Sequence, residues 1–191
     1  NTIKAEIKDN FPYKVLEVYG AEADDIIATL CGELEFDNGK TLILSGDKDF
    51  IQLHKFKNVK QYSPITKKFI NGEDPDEYLY QHILKGDSSD GIPNVLSPDN
   101  TFVDGLRQRP LSKKKIAEWA GPLCEQFLPS DEAKRNYQRN KKLIDLKESP
   151  EELYLECIKS YQDAPEGDRS KLLNYFIKNR LNELMENIGD F

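Results

Sequence analysis

The apolar positions of the chain change rhythm several times in its first third. Val15-Leu16-Glu17-Val18-Tyr19 is a short β-favouring run ended by Gly20, and it predicts a strand. Ala23, Ile26, Ile27, Leu30, Cys31 and Leu34 then recur at the spacing of one helical stripe. Asp37-Asn38-Gly39 reads as a turn, and Thr41-Leu42-Ile43-Leu44-Ser45 as a continuous apolar strand of the buried parallel kind. A short helix is expected from Asp49 to His54, and a further strand from Val59 to Tyr62. Strand, helix and strand in that order imply a βαβ crossover and a mostly parallel sheet flanked by helices. The fold class is therefore α/β in its first part.

From about residue 76 onward the pattern is helical. Pro75 suits the first turn of a helix running from Asp76 to Lys85. Ser112 is a good N-cap for a helix through Trp119, stopped by Gly121-Pro122. Further helices are expected over 131–146, 151–161 and 170–188. In the last of these, Leu172, Leu173, Phe176, Ile177, Leu181, Leu184, Met185 and Ile188 form a stripe read as core packing. The connection from Asp87 to Leu111 is long, with Pro93 and Pro98 after its acidic start, and long ordered loops are often functional or mobile.

With 191 residues the chain can bury a core without covalent staples. Cys31, Cys124 and Cys157 are widely spaced and odd in number, and the two histidines, His54 and His82, form no metal-binding pattern with them, which argues against a disulfide framework or a structural zinc site. No apolar run approaches the length of a membrane helix, and no secretory signal is present, so a cytoplasmic setting follows by default.

Charge is unevenly distributed. The net charge is −7, yet from Arg107 to Lys142 ten basic residues face four acids, giving that stretch +6 and the remainder −13. A basic pole that holds phosphates beside an acidic pole that loads cations suits a metal-dependent enzyme acting on a polyanion. Two solvated helices carrying ordinary lysines would give the same count.

The acidic pole is concentrated in three blocks: Glu22-Ala23-Asp24-Asp25, Gly46-Asp47-Lys48-Asp49 and Gly86-Asp87-Ser88-Ser89-Asp90-Gly91. Each falls where a strand, helix or turn should end, and ligands of parallel sheets gather at the carboxyl ends of strands. Seven carboxylates brought to one point would repel one another unless cations lay between them. An all-oxygen donor set favours magnesium, manganese or calcium over zinc. At the start of the first helix, Ala23 and Ile26 are expected to point into the core, anchoring Glu22, Asp24 and Asp25 at a terminus that favours negative charge. Any single block could equally be a capping or Asx-turn device.

Taken together, "GAEADDIIATL", "SGDKDFIQL" and "LKGDSSDGIPNV" resemble the acidic motifs of the flap endonuclease superfamily, which includes the 5′-nuclease domains of bacterial DNA polymerase I. "QLHKFKNVKQYSPITKKFI" and "YFIKNRLNELMENIGDF" are similar more particularly to the ribonuclease H branch of T-even-type bacteriophages. The resemblance implies a PIN-like nuclease core whose C-terminal part would occupy 1–75, followed by a helical duplex-binding region over 76–191 with a helix-three-turn-helix. It implies a 5′ to 3′ exonuclease or flap endonuclease that hydrolyses RNA–DNA or DNA duplexes in primer removal, using two Mg2+ ions for which Mn2+ can substitute. By motif position, Glu22, Asp24 and Asp47 would line one metal site, Asp49, Asp87 and Asp90 the other, with Asp25 a further member. Two such ions about 4 Å apart can activate water and stabilise the leaving oxygen. Ser112, Lys113, Lys114 and Lys115 would hold duplex phosphate. Relatives in phage replication, acting in the cytoplasm of a bacterial host, imply a monomer working with a single-stranded-DNA-binding protein and a sliding clamp.

Two departures from the family pattern matter. Val95-Leu96-Ser97-Pro98 stands where most members have a Gly-x-Gly turn at a monovalent-ion site. The upstream aspartates and basic arch of the family find no counterpart in residues 1–20, so a fragment with an incomplete, inactive centre is expected. A non-catalytic duplex-binding module remains the alternative, and the blocks do not reproduce the 12-residue EF-hand spacing of a calcium protein.

Overall fold

The computed structural model describes residues 2–36 and 39–191, without the side chains of residues 34–36. Contacts divide the chain into two compact units: Asn1–Glu22 with Glu152–Phe191, and Ala23–Glu151. The Asp37-Asn38 part of the expected turn lies outside the described residues.

The smaller unit begins with α1 (Thr2–Asn10), and the larger unit opens with α2 (Ala23–Phe36). Ile26, Thr29 and Cys31 of α2 are buried, but Ala23 is exposed, so Ile26 alone of the expected pair anchors the acidic helix start. Next come β1 (Thr41–Leu44), a 3-10 helix (Lys48–Lys55), β2 (Val59–Ser63) and β3 (Lys68–Ile70), in sheet order β1-β2-β3. β1 and β2 are parallel, with Thr41 opposite Val59 and Leu44 opposite Tyr62, and the 3-10 helix makes the crossover. β2 and β3 are antiparallel, Ser63 opposite Lys68, joined by a turn in which Lys67 takes φ 54°.

The sheet differs from the sequence expectation in three respects. β3 was not expected; a three-residue strand gives no periodicity to read. β1 is not buried on both faces, since Leu42 is 52% and Leu44 66% exposed while Ile43 is buried. Only one face of this small sheet packs into the cluster of Cys31, Ile43, Phe50, Leu53 and Val59. Residues 15–19 form no strand: they belong to the unit without the sheet, no neighbouring strand pairs with them, and Tyr19 is 98% exposed. A β-favouring run becomes a strand only where another backbone completes its ladder.

The helical part of the larger unit contains α3 (Pro75–Lys85), α4 (Lys113–Trp119), α5 (Cys124–Phe127) and α6 (Asp131–Ile144). α3 starts from an Asp74 cap whose carboxylate accepts from Glu77 N at 2.8 Å, with Pro75 at its first turn. Ile83, Leu84, Ile92, Val95, Ile116, Trp119 and Tyr137 lie in one apolar cluster that fastens α3, α4 and α6 together. The 87–111 connection is packed into this region rather than looping out: Asn94, Val95, Ser97 and Thr101 are buried. Asn136 Nδ2 donates to the carbonyls of Val95 (3.1 Å) and Ser97 (3.0 Å), and Asn140 Nδ2 to those of Ile83 (2.8 Å) and Pro93 (3.0 Å). α6 ends at Ile144, and Leu146–Glu148 is a separate 3-10 turn capped by Asp145.

In the smaller unit, α7 (Glu151–Asp163) crosses the unit boundary at its first residue, and α8 (Leu172–Asn179) and α9 (Asn182–Glu186) replace the single helix expected over 170–188. Arg180 adopts a left-handed conformation, φ 56°, with its N–H directed to Ile177 O and the N–H of Leu181 to Phe176 O, which terminates α8. The apolar stripe is only partly core: Leu172 and Phe176 are buried, whereas Leu173 and Ile177 are exposed. Phe11, Phe176 and Phe191 meet edge to face at 5.4–5.9 Å. Among the described residues no helix is long and apolar enough to cross a membrane.

Candidate metal centre

Two of the three acidic blocks meet where the 3-10 helix packs against α3. Strand β1 delivers the chain to Gly46 and Asp47, and Asp47 is the N-cap of the 3-10 helix, accepting from Asp49 N at 3.0 Å through Oδ1. Eight residues is long for a 3-10 helix, a form that is uncommon beyond a few residues. Phe50, Ile51, Gln52 and Leu53 are buried, so the packing of this short element fixes the direction of Asp49.

The third block hangs from the end of α3. Gly86 leaves the helix at φ 68°, and a Cβ there would lie 2.4 Å from Ile92 O and 2.7 Å from Pro93 O, a space only glycine fits. Asp87 follows at once, bridged by its backbone to Ile92. Its Oδ1 accepts from Ser89 N at 2.8 Å and from the Ser89 hydroxyl. The blocks thus use one carboxylate oxygen each for local turns, and capping and cation binding are compatible uses of the same aspartates.

Asp49 and Asp87 are brought together around His82, on the last turn of α3. His82 Nδ1 lies 3.3 Å from Asp49 Oδ1, and Nε2 lies 3.3 Å from Asp87 Oδ2. Each of the three offers a donor atom within 4.8 Å of the others. The Nδ1 approach to Asp49 is off the line of a hydrogen bond, so this buried nitrogen has no hydrogen-bond partner. Tyr78, one turn earlier, packs edge-on against the imidazole at 5.5 Å. An open cleft of about 510 Å3 is lined by these three residues together with Asp47, Lys48 and Lys85.

The electrostatics of the pair are asymmetric. Burial pushes the Asp49 carboxyl up to about 6; His82 opposes the rise, while Asp47, Asp87 and Asp90 add to it. Burial also pushes Asp87 upward, but hydrogen bonds from Ser89, with His82 nearby, hold its carboxyl below the usual range. A crowded, half-buried set of carboxylates with an unpartnered nitrogen aimed among them fits a divalent cation. Asp49, His82 and Asp87 are the residues whose positions fit it best, with Asp47 and Asp90 contributing negative charge.

The remaining expected site residues make other contacts. Asp24 and Asp25 are in the first turn of α2, where Asp24 Oδ1 accepts from Asp25 N at 3.2 Å and Asp25 Oδ1 from the Ser149 hydroxyl at 2.6 Å. Glu22 is exposed and belongs to the smaller unit. Ser112 caps α4 by accepting from Lys115 N at 3.3 Å; Lys113, Lys114 and Lys115 are exposed on its first turn, with Lys115 Nζ 5.5 Å from the Trp119 ring. Several cations of the basic stretch are ion-paired within the unit: Arg109 with Glu132, Lys134 with Asp131, Arg135 and Arg139 with Asp99, and Lys141 with Glu148. Sequence reasoning missed His82, whose only signal was a histidine one helical turn before a Gly-Asp exit.

Comparison with known proteins shows the family. Residues 2–80 match the family model described as 5′-3′ exonuclease, N-terminal resolvase-like domain, and residues 74–191 match the model described as T4 RNase H, C terminal. The chain is similar to ribonuclease H of Enterobacteria phage T4, 34% identical over 193 residues that cover 97% of this chain and 63% of that protein. It is also similar to the 5′-3′ exonuclease of Buchnera aphidicola subsp. Schizaphis graminum, 39% identical over 97 residues, 47% of this chain and 34% of the relative. DNA polymerase I of Bacillus subtilis is 36% identical over 101 residues, covering 47% of this chain and 12% of that enzyme. The chain therefore spans less than two thirds of the length of these relatives.

Proposed function

We propose, on the premise that this chain belongs to the 5′-3′ exonuclease family with a T4 RNase H-type C-terminal region, that it is part of a metal-dependent nuclease that removes nucleotides from the 5′ ends or flaps of RNA–DNA and DNA duplexes, as in primer removal. The single observation that carries this reading is the meeting of Asp49 and Asp87, 38 positions apart in the chain, in an open cleft with an unpartnered imidazole nitrogen.

Within that reading Asp49, Asp87 and Asp90 would hold one Mg2+, and Asp24 and Asp47, with Asp25 nearby, would hold a second; Mn2+ would replace either. Magnesium bound by such carboxylates supplies Lewis-acid stabilisation of phosphoryl oxygens and a water of lowered pKa. Asp47 orients the 3-10 turn that carries Asp49, and the Gly86 exit orients Asp87. Lys48 and Lys85, lining the same cleft, draw in the scissile phosphate. Ser112, Lys113, Lys114 and Lys115 hold the duplex backbone, contacts that give affinity and position without base specificity. Residues 1–75 then serve the α/β nuclease core and 76–191 the helical duplex-binding region, with a helix-three-turn-helix spanning α3 to α4. A single-stranded-DNA-binding protein and a sliding clamp are its proposed partners in the host cytoplasm.

The test is a cleavage assay on 5′-labelled RNA–DNA hybrid and flap DNA, using the natural polypeptide that carries this chain. Mg2+-dependent release of short 5′ products, reduced at least about 100-fold by Asp49→Asn and by Asp87→Asn, is expected for ligands of a catalytic metal. Undiminished cleavage by both variants would refute the assignment. Binding of duplex that falls steeply with salt, without any metal-dependent cleavage, would instead identify a non-catalytic duplex-binding module.

A further inference from the structure

Resting on the nuclease reading, we propose that His82 is a nitrogen ligand of the cation held by Asp49, bound through Nδ1, and that it biases this site toward divalent transition metals over magnesium. His82 is only 13% exposed, and its Nδ1 faces Asp49 Oδ1 at 3.3 Å without forming a hydrogen bond. Buried polar nitrogens are ordinarily paired, so an imidazole held in this direction calls for another partner.

The separation fits a shared ion. Two donors on adjacent corners of an octahedron, each about 2.1 Å from the cation, stand about 3 Å apart. Asp49 Oδ1 and His82 Nδ1 are close to that spacing and form no hydrogen bond with each other.

The other ring nitrogen fixes the tautomer. Nε2 lies 3.3 Å from Asp87 Oδ2, so an Nε2–H donated to this carboxylate leaves the Nδ1 lone pair directed at Asp49. A carboxylate that accepts from a histidine N–H while the second nitrogen binds the metal is a recurrent arrangement, and it raises ligand basicity. Asp87 spends one lone pair in this way and keeps others for a cation. Tyr78 packed on the ring and the α3 backbone, closed by the Gly86 N–H to His82 O bond of 2.8 Å, hold the imidazole in place.

The consequence is selectivity. Carboxylates alone suit magnesium, calcium and manganese, whereas imidazole adds affinity for first-row transition ions and little for magnesium. The other histidine of the chain, His54, is engaged with Gln61 Oε1 at 3.0 Å and serves as the control.

The experiment loads the full chain with Mn2+ and records electron spin echo envelope modulation. A histidine 14N modulation is expected, changed in frequency when the protein is grown with 15N-histidine, retained in His54→Gln and lost in His82→Gln. In calorimetry His82→Gln should weaken Mn2+ binding about tenfold or more, the scale of losing a ligand or its support, and Mg2+ binding by less than about threefold. The isotope-labelled spectrum of His54→Gln, in which His82 is the one histidine left of this chain's two, decides the matter even if His82→Gln folds poorly. Bound Mn2+ without any histidine 14N signal would overturn the His82 assignment while leaving the carboxylate site intact. Failure to bind Mn2+ at any saturable site would overturn both this assignment and the nuclease centre on which it rests.

Discussion

Gln61, fully buried on β2, donates through Nε2 to the carbonyl oxygen of Asp47 at 2.5 Å and to that of Ser45 at 2.9 Å. Its Oε1 is paired with His54 Nε2 at 3.0 Å. One side chain of the sheet therefore satisfies two carbonyls of the acidic turn and ties the turn to the far end of the 3-10 helix. Gln61→Leu removes the donor shared by these two part-buried carbonyls, at a cost of about 1–3 kcal/mol each where no water replaces the amide. Chemical denaturation should show a stability loss of about 2 kcal/mol or more, and cleavage should fall although no metal-binding group has been removed. Wild-type stability in this variant would show that the turn is held by other means.

Gly86 should tolerate no side chain. The left-handed φ and the carbonyls of Ile92 and Pro93, close to the ideal Cβ position, act together, so Gly86→Ala must displace the backbone that presents Asp87. A loss of at least about 2 kcal/mol in stability is expected from strain of this kind, together with a loss of divalent-cation affinity. Gly91→Ala has a left-handed φ but open space around it, and should cost less. Thermal denaturation of the two variants side by side checks the contrast.

The raised carboxyl of Asp49 makes a pH prediction for the metal-free protein. Its folded pKa of about 6 lies above the ordinary carboxyl value, so the folded state favours the protonated form. The corresponding stability is fully present below about pH 4 and is lost as pH rises through about 6. Asp49→Asn removes this dependence. Melting temperatures of metal-free wild type and Asp49→Asn should therefore diverge between about pH 4 and 6, with the variant the more stable above that window. A constant difference across this range would contradict the burial that raises the Asp49 carboxyl, to which the neighbouring carboxylates add.

The sequence disclosed those parts of the fold whose determinants are local. α3 was legible because Pro75 suits its first turn, and α4 because Ser112 caps it and Gly121-Pro122 follows. The run at 15–19 misled because β propensity cannot reveal whether a partner strand will be present. The break between α8 and α9 was hidden because Arg180, a residue with no strong preference for positive φ, is held left-handed by its surroundings. At the site, Asp49 and Asp87 were visible through their Gly-Asp turns, while His82 was not. Its position between Asp49 and Asp87 depends on the packing of α3 against the 3-10 helix, a relationship with no signature in residue spacing.

The most direct test of the account is a magnesium titration, by calorimetry, of the wild type, Asp49→Asn, Asp87→Asn and the double variant. If the two aspartates serve one cation centre, each single change should weaken saturable Mg2+ binding about tenfold or more, and the double variant should lose less than the sum of the two, because neighbours sharing a ligand do not act independently. Wild-type Mg2+ binding in both single variants, or strictly additive losses in the double variant, would contradict a shared centre built from Asp49 and Asp87.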